Sequence, residues 1–267
     1  MIESIGIAAA VAGGVSLAIG LLLGFASRVF HVQVDERAVA VREALPGSNC
    51  GGCGYAGCDA LAEAIAKGEA KPNTCPVGGQ EVAQAIAAVM GVEAGEVVQE
   101  VAFVHCSGTC DKAKLEANYY GIKDCRQAAL APGHAGRACY TACFGLGTCA
   151  AVCPTGAIRV LDGVAKVDRE KCIHCGCCVA ACPQHIITMR PRNGPVAVAC
   201  SSHKAGKAVK AACDAGCIAC GICQKVCPND AIHVIDKLAQ VDYEKCIGCG
   251  ACVVKCPVKV IHTTEEV

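Results

Sequence analysis

Residues 172–183 read CIHCGCCVAACP, so Cys172, Cys175, Cys178 and Cys182 stand with two, two and three residues between them and Pro183 closes the run. Thiolates at this spacing hold iron in a defined way: the first three grip one 4Fe-4S cube and the fourth crosses to a neighbouring cube. CIACGICQKVCP (217–228) repeats the pattern with Cys217, Cys220, Cys223 and Cys227, and CIGCGACVVKCP (246–257) repeats it with Cys246, Cys249, Cys252 and Cys256. Three copies are not a chance match.

Sliding the chain along itself finds a fourth group. A shift of 74 residues carries Cys143, Cys149, Cys153 and Cys172 onto Cys217, Cys223, Cys227 and Cys246, and lays AIRVLDGVAKVDREKC (157–172) over AIHVIDKLAQVDYEKC (231–246). Self-similarity of this quality marks a duplicated module, here a two-cluster ferredoxin unit present twice. Leu146 stands where the second copy has Cys220, so the first copy lacks one thiolate of its run. Cys139 is the available substitute, giving the expected set Cys139, Cys143, Cys149 and Cys182.

The 267 residues include 26 Cys, no Trp and only nine Tyr and Phe, which does not describe an ordinary apolar core. Small modules bury too little surface to fold on that alone, so metal ligation must supply much of the folding free energy. Thiolate ligands to iron require a reducing compartment, and a secreted disulfide scaffold would not repeat this spacing. Zinc is the competing metal for paired C-x2-C motifs. Three consecutive thiolates with a remote Cys-Pro favour the cube. Formal net charge is zero, which gives no sign of a nucleic-acid partner.

Ile5 to Phe25 is 21 residues without a charge, closed by Arg28. That length suits a bilayer core. A signal peptide would begin with basic residues, whereas this chain begins MIES. Residues 1–28 are therefore expected to be an uncleaved transmembrane anchor, with Arg28 and Arg37 placing the body on the cytoplasmic side of the cell membrane.

Next comes a segment, 29–92, with Cys50, Cys53, Cys58 and Cys75 separated by two, four and sixteen residues among Gly47, Gly51, Gly52, Gly54 and Gly57. Four thiolates in so short a stretch predict a self-contained 4Fe-4S domain, with a helix over 59–67 and an amphipathic helix over 80–90. A connecting region, 93–133, holds an apolar strand over 96–104 and then Cys106, Cys110 and Cys125. The ferredoxin modules follow at 134–192 and 213–267, joined by a segment, 193–212, that contains Cys200. The expected class is α+β: one N-terminal transmembrane helix, a small cluster domain and tandem two-cluster modules.

Subtracting the assigned thiols leaves Cys106, Cys110, Cys125, Cys177, Cys200 and Cys213. Cys106, Cys110, Cys125 and Cys200 are the expected ligands of a further cluster beyond five, with Cys213 as the substitute and inert buried thiols as the alternative. His174, His185, His203 and His262 lie near the runs, but those runs already have their thiolates. Lys204, Lys207 and Lys210 have the spacing of one helical face, either solvated or suited to steering an acidic carrier. No G-x-G-x-x-G after a strand, P-loop or nucleophile with its base occurs, and no residue is expected to be catalytic.

The Cys50–Cys75 segment resembles the cluster domain shared by Rnf B subunits and corrinoid iron-sulfur proteins. With the anchor before it and the cysteine-rich body after it, the whole chain resembles the longer form of the Rnf B-subunit family, from the membrane-bound ferredoxin:NAD oxidoreductase complexes. The resemblance implies an electron-transfer subunit that takes electrons from soluble ferredoxin. It would pass them to other Rnf-type subunits that reduce NAD and translocate Na+ or H+. A polyferredoxin subunit of another membrane oxidoreductase, of hydrogenase or heterodisulfide-reductase type, would share the runs without needing the Cys50–Cys75 domain beside an anchor. A soluble cluster carrier would need no anchor.

Overall fold

The computed structural model describes residues 2–29 and 35–263. Helix α1 (Ile2–Val29) covers the run expected to be an anchor, and its Leu17, Leu21, Leu22 and Phe25 are 68, 68, 69 and 72% exposed. Among the described residues no helix is long and apolar enough to cross a membrane. The expected anchor is therefore seen as a helix and not as a demonstrated span.

Three helices build the first cluster domain: α2 (Glu36–Ala44), α3 (Cys58–Ala66) and α4 (Gly79–Met90). Asp35 starts α2 by accepting the Arg37 N–H through its carboxylate at 2.9 Å. Gly91 stops α4 in the left-handed region at φ 67°. Val41, Leu61, Ile65 and Ile86 meet in the middle, each at most 1% exposed, and Cys58 and Cys75 sit in the same core. The expected strand over 96–104 forms only as β1 (Glu100–Val104). Its first residues are held by α4 instead, since Gln80 accepts the Val97 N–H at 2.8 Å and donates to the Gly95 carbonyl.

The two repeats share one plan. In the first, α5 (Cys125–Leu130) precedes α6 (Thr148–Ala151), the hairpin β2 (Ile158–Leu161) and β3 (Val164–Val167), then α7 (Cys177–Ala181) and β4 (Ile187–Pro191). β4 returns antiparallel to β1, with Ala102 opposite Met189. The second repeat runs β5 (Val196–Val198), α8 (Gly206–Ala212), α9 (Ile222–Lys225), the hairpin β6 (Ile232–Ile235) and β7 (Leu238–Val241), α10 (Ala251–Lys255) and β8 (Ile261–Thr263). β8 returns antiparallel to β5, with Ala197 opposite His262. The result is a mixed α and β body in which, among the described residues, the four sheets are all two-stranded.

Both hairpins turn on two residues with positive φ, Asp162–Gly163 at 50° and 78° and Asp236–Lys237 at 45° and 63°, as the right-handed twist of the flanking strands requires. Glycine is needed only in the first. A Cβ on Gly163 would stand 2.6 Å from Cys110 Sγ and 3.1 Å from Arg137 Nη2. The loop carrying those residues is longer in the first repeat, with 33 positions from Cys106 to Cys139 against 13 from Cys200 to Cys213.

Candidate metal centres

All 26 cysteines are free thiols. Among the described residues no three His, Cys, Asp or Glu side chains close on a single ion-sized point. Twelve of the thiols line three cavities, four in each.

One cavity is lined by Cys125, Cys143, Cys149 and Cys182 together with Val104, Phe144, Ile186 and Ile187. Cys125 and not Cys139 lines this cavity. Asp124 brings it there: its carboxylate accepts the N–H groups of Arg126 and Gln127, at 2.7 and 3.1 Å, and the Thr148 hydroxyl at 3.3 Å. Thr148 Oγ1 in turn accepts the Cys125 N–H at 2.7 Å, so Cys125 is fastened to the residue before Cys149. The Cys149 thiol is pushed up to about 12 by burial first and then by Cys143, Cys125 and Cys182 around it.

Cys139 lines a different cavity with Cys106, Cys200 and Cys213. Here the two repeats contribute alike. The Cys143 N–H donates to Cys106 Sγ at 3.5 Å, and the Cys217 N–H donates to Cys200 Sγ at 3.4 Å. Because 143 and 217 are partners under the 74-residue shift, Cys106 and Cys200 are equivalent residues. Cys139 and Cys213 are equivalent under that shift itself. The cavity therefore takes one strand-end thiol and one thiol before the run from each repeat. A bridge between Ala113 and Cys213 and the bond from the Lys114 N–H to the Ala212 carbonyl, 2.9 Å, hold the repeats together beside it. Burial raises the Cys106, Cys200 and Cys213 thiols, and Cys139 adds to each.

The cavities group two residues differently from the expected sets. Cys110 is exposed, with its N–H on the Asp162 carbonyl at 2.9 Å, and lies away from the cavity it was expected to share. Cys125 lines the cavity of Cys143, Cys149 and Cys182. Sequence reasoning missed the pairing because shifts of 74 and 94 residues are both needed to see it.

Other thiols lie near one another as follows. Cys178 is pushed up to about 12 by burial and then by Cys172, Cys175, Cys149 and Cys153. Cys223 is pushed up to about 11 by burial, with Cys217, Cys220 and Cys256 adding to it. Cys227, Cys246, Cys249 and Cys252 line one apolar cavity. In the first domain burial raises Cys75, beside Cys53 and Cys58, and Asn49 Oδ1 accepts the Cys58 N–H at 2.8 Å.

These sites fit thiolate ligands to iron. A buried anionic sulfur without a cation is costly, so an empty cavity holds neutral thiols and a bound metal displaces their protons. Backbone N–H groups already point at sulfur: Ala157 to Cys153 at 3.3 Å, and its repeat partner Ala231 to Cys227 at 3.2 Å. Such donors favour the anion and tune cluster potential. The histidines serve elsewhere: His174 Nε2 lies 2.9 Å from Glu100 Oε2, His262 Nε2 lies 3.0 Å from Ser107 Oγ, and His203 Nδ1 lies 3.1 Å from Asp236 Oδ2. Lys207 and Lys210 are exposed on α8, whereas Lys204, before it, lies over the Tyr140 ring at 4.2 Å.

Comparison with known proteins agrees with this architecture. A family model for an Fe-S cluster matches residues 45–77, two models of a 4Fe-4S dicluster domain match 134–183 and 171–231, and a 4Fe-4S binding domain matches 239–262. The chain is 49% identical to the B subunit of the Na(+)-translocating ferredoxin:NAD(+) oxidoreductase complex of Acetobacterium woodii, over 92% of this chain and 74% of that one. It is 44% identical to the B subunit of the ion-translocating oxidoreductase complex of Methanosarcina acetivorans, over 88% of this chain and 89% of that one. It is 41% identical to the B subunit of the proton-translocating ferredoxin:NAD(+) oxidoreductase complex of Clostridium ljungdahlii, over 85% and 81%.

Proposed function

Because the chain belongs to the family of Rnf complex B subunits, an electron-transfer subunit of an ion-translocating oxidoreductase complex, we propose that it collects electrons from reduced soluble ferredoxin. It passes them toward partner subunits that reduce NAD and translocate Na+ or H+. The observation that carries this reading is the series of thiol-lined apolar cavities, with backbone N–H groups aimed at sulfur. Bound 4Fe-4S clusters supply one-electron chemistry there. The chain's own residues fix thiolates, exclude water and set the surrounding dipoles.

The ligand sets we propose are six. They are Cys50, Cys53, Cys58 and Cys75; Cys125, Cys143, Cys149 and Cys182; Cys153, Cys172, Cys175 and Cys178; Cys106, Cys139, Cys200 and Cys213; Cys217, Cys220, Cys223 and Cys256; and Cys227, Cys246, Cys249 and Cys252. The domain limits are those read from the sequence, with Cys106, Cys125 and Cys200 drawn into the ferredoxin units.

Helix α1 is the proposed membrane anchor, with the cluster domains on the cytoplasmic face. Its uncharged run from Ile5 to Phe25 and the exposure of its leucines support that role. Removing residues 1–28 is expected to give a soluble brown protein with an unchanged visible spectrum. On anaerobic mixing with reduced ferredoxin that protein should bleach, whereas NADH should leave it oxidised. Failure of reduced ferredoxin to bleach a fully iron-loaded protein would remove ferredoxin as the donor, and loss of clusters on removing residues 1–28 would show that α1 does more than anchor.

A further inference from the structure

Cys110 and Cys177 stand outside the six sets, and Cys177 reaches across domains. Its Sγ donates to the Cys50 carbonyl oxygen at 3.3 Å. Beside it Gly52 lies flat on Cys175: a Cβ on Gly52 would stand 2.2 Å from the Cys175 carbonyl oxygen, 3.0 Å from its carbon and 3.1 Å from its Cα. Those three Cys175 backbone atoms are the nearest heavy atoms that such a Cβ would meet. Gly51 and Gly54 need glycine for backbone reasons, at φ 71° and 86°, whereas Gly52 is outside the left-handed region. What excludes a side chain at 52 is the other domain.

Both sides of this contact are ligand loops. Cys50 and Cys53 flank Gly52, and Cys175 and Cys178 flank Cys177. A contact needed only to pack two domains has no reason to place glycine between two ligands of one site and against the backbone of a ligand of another.

We propose that Gly52 and Cys177 are positioning residues of an internal electron junction, holding the Cys50–Cys75 ligand loop edge to edge with the Cys172–Cys178 ligand loop. The two loops would hold clusters that exchange one electron: the iron of one cluster would be oxidised by one, that of the other reduced by one, and no bond would be made or broken. Reduced ferredoxin or the neighbouring set supplies that electron. The inference rests on the reading that both sets hold clusters, and iron content separates the two questions.

The test is EPR of the full-length, detergent-solubilised protein reduced with dithionite, alongside its iron content. Magnetic interaction between two paramagnetic sites weakens steeply with separation, so the wild type should show broadened or split signals. Gly52→Ala and Gly52→Val should keep all their iron and lose the part of that interaction contributed by the Cys50–Cys75 set, so that its signal separates from those of the ferredoxin units. Cys177→Ser, which can still donate to the Cys50 carbonyl, should retain the interaction, and Cys177→Val should weaken it. Gly52→Val with full iron and an unaltered interaction would overturn the proposal. So would loss of iron from Gly52→Ala, because the contact would then belong to ligation. Wild-type protein lacking iron in either set would instead overturn the underlying reading.

Discussion

Cys139→Ala and Cys213→Ala are expected to damage the same cluster. The two residues are 74 positions apart and equivalent in the repeat, yet they line one cavity with Cys106 and Cys200. Each single substitution should cost up to one cube of iron or convert that cube to a three-iron form. The double variant should cost no more than either single one, because groups acting on one site are not additive. Adding Cys125→Ala should remove a second, distinct cluster, since Cys125 lines the other cavity with Cys143, Cys149 and Cys182. Low-temperature EPR and iron content of these four proteins and of Cys125→Ala alone decide the matter. If Cys125→Ala keeps full iron while Cys139→Ala alters the first unit's signal, the partition drawn from the cavities is wrong.

Removing the iron is expected to unfold both ferredoxin repeats. Their strands have three to five residues in two-stranded sheets, which do not stand alone in water. Their cores are built on the thiols themselves: Cys106, Cys143, Cys149 and Cys178 in one, Cys200, Cys217, Cys223, Cys252 and Cys256 in the other. Ligation of a structural zinc contributes on the order of 10 kcal/mol in small zinc domains. A whole domain is stable by about 5–15 kcal/mol, so loss of terms that size leaves no folded margin. Anaerobic chelation should therefore abolish the cooperative unfolding transition and open residues 93–263 to proteolysis, and reconstitution should restore both. An apo form that keeps native protection would show that apolar packing around Ile158, Val164, Ile232 and Val260 suffices.

The three intact runs and the 74-residue shift were legible because ferredoxin ligands are local in sequence, and a local spacing is a direct record of geometry. The helices over Cys58–Ala66 and Gly79–Met90 were legible for the same reason. What the sequence hid is long-range. Cys106 and Cys200 are separated by 94 residues rather than 74, because the first repeat carries a longer loop before its run. That loop brings Cys125 to Thr148 and leaves Cys139 free to face the second repeat. Nearness in sequence favoured Cys139 as the substitute for the thiolate missing at Leu146, whereas the proposal of Cys125 rests on the Asp124 to Thr148 bond, across 24 residues. Asp124 before Cys125 was the available signal, a helix-capping residue next to a thiol. Cys177 was likewise visible as a surplus cysteine, but its contact with Cys50 lies 127 residues away.

The account stands most directly on the count of cubes. Six sets of four use 24 of the 26 cysteines, so anaerobically reconstituted protein should reach 24 iron per chain, with Mössbauer spectra of the oxidised sample accounting for all of it as 4Fe-4S. A reproducible plateau at 20 iron, with Cys139→Ala and Cys213→Ala leaving that number unchanged, would contradict the cluster shared between the two repeats.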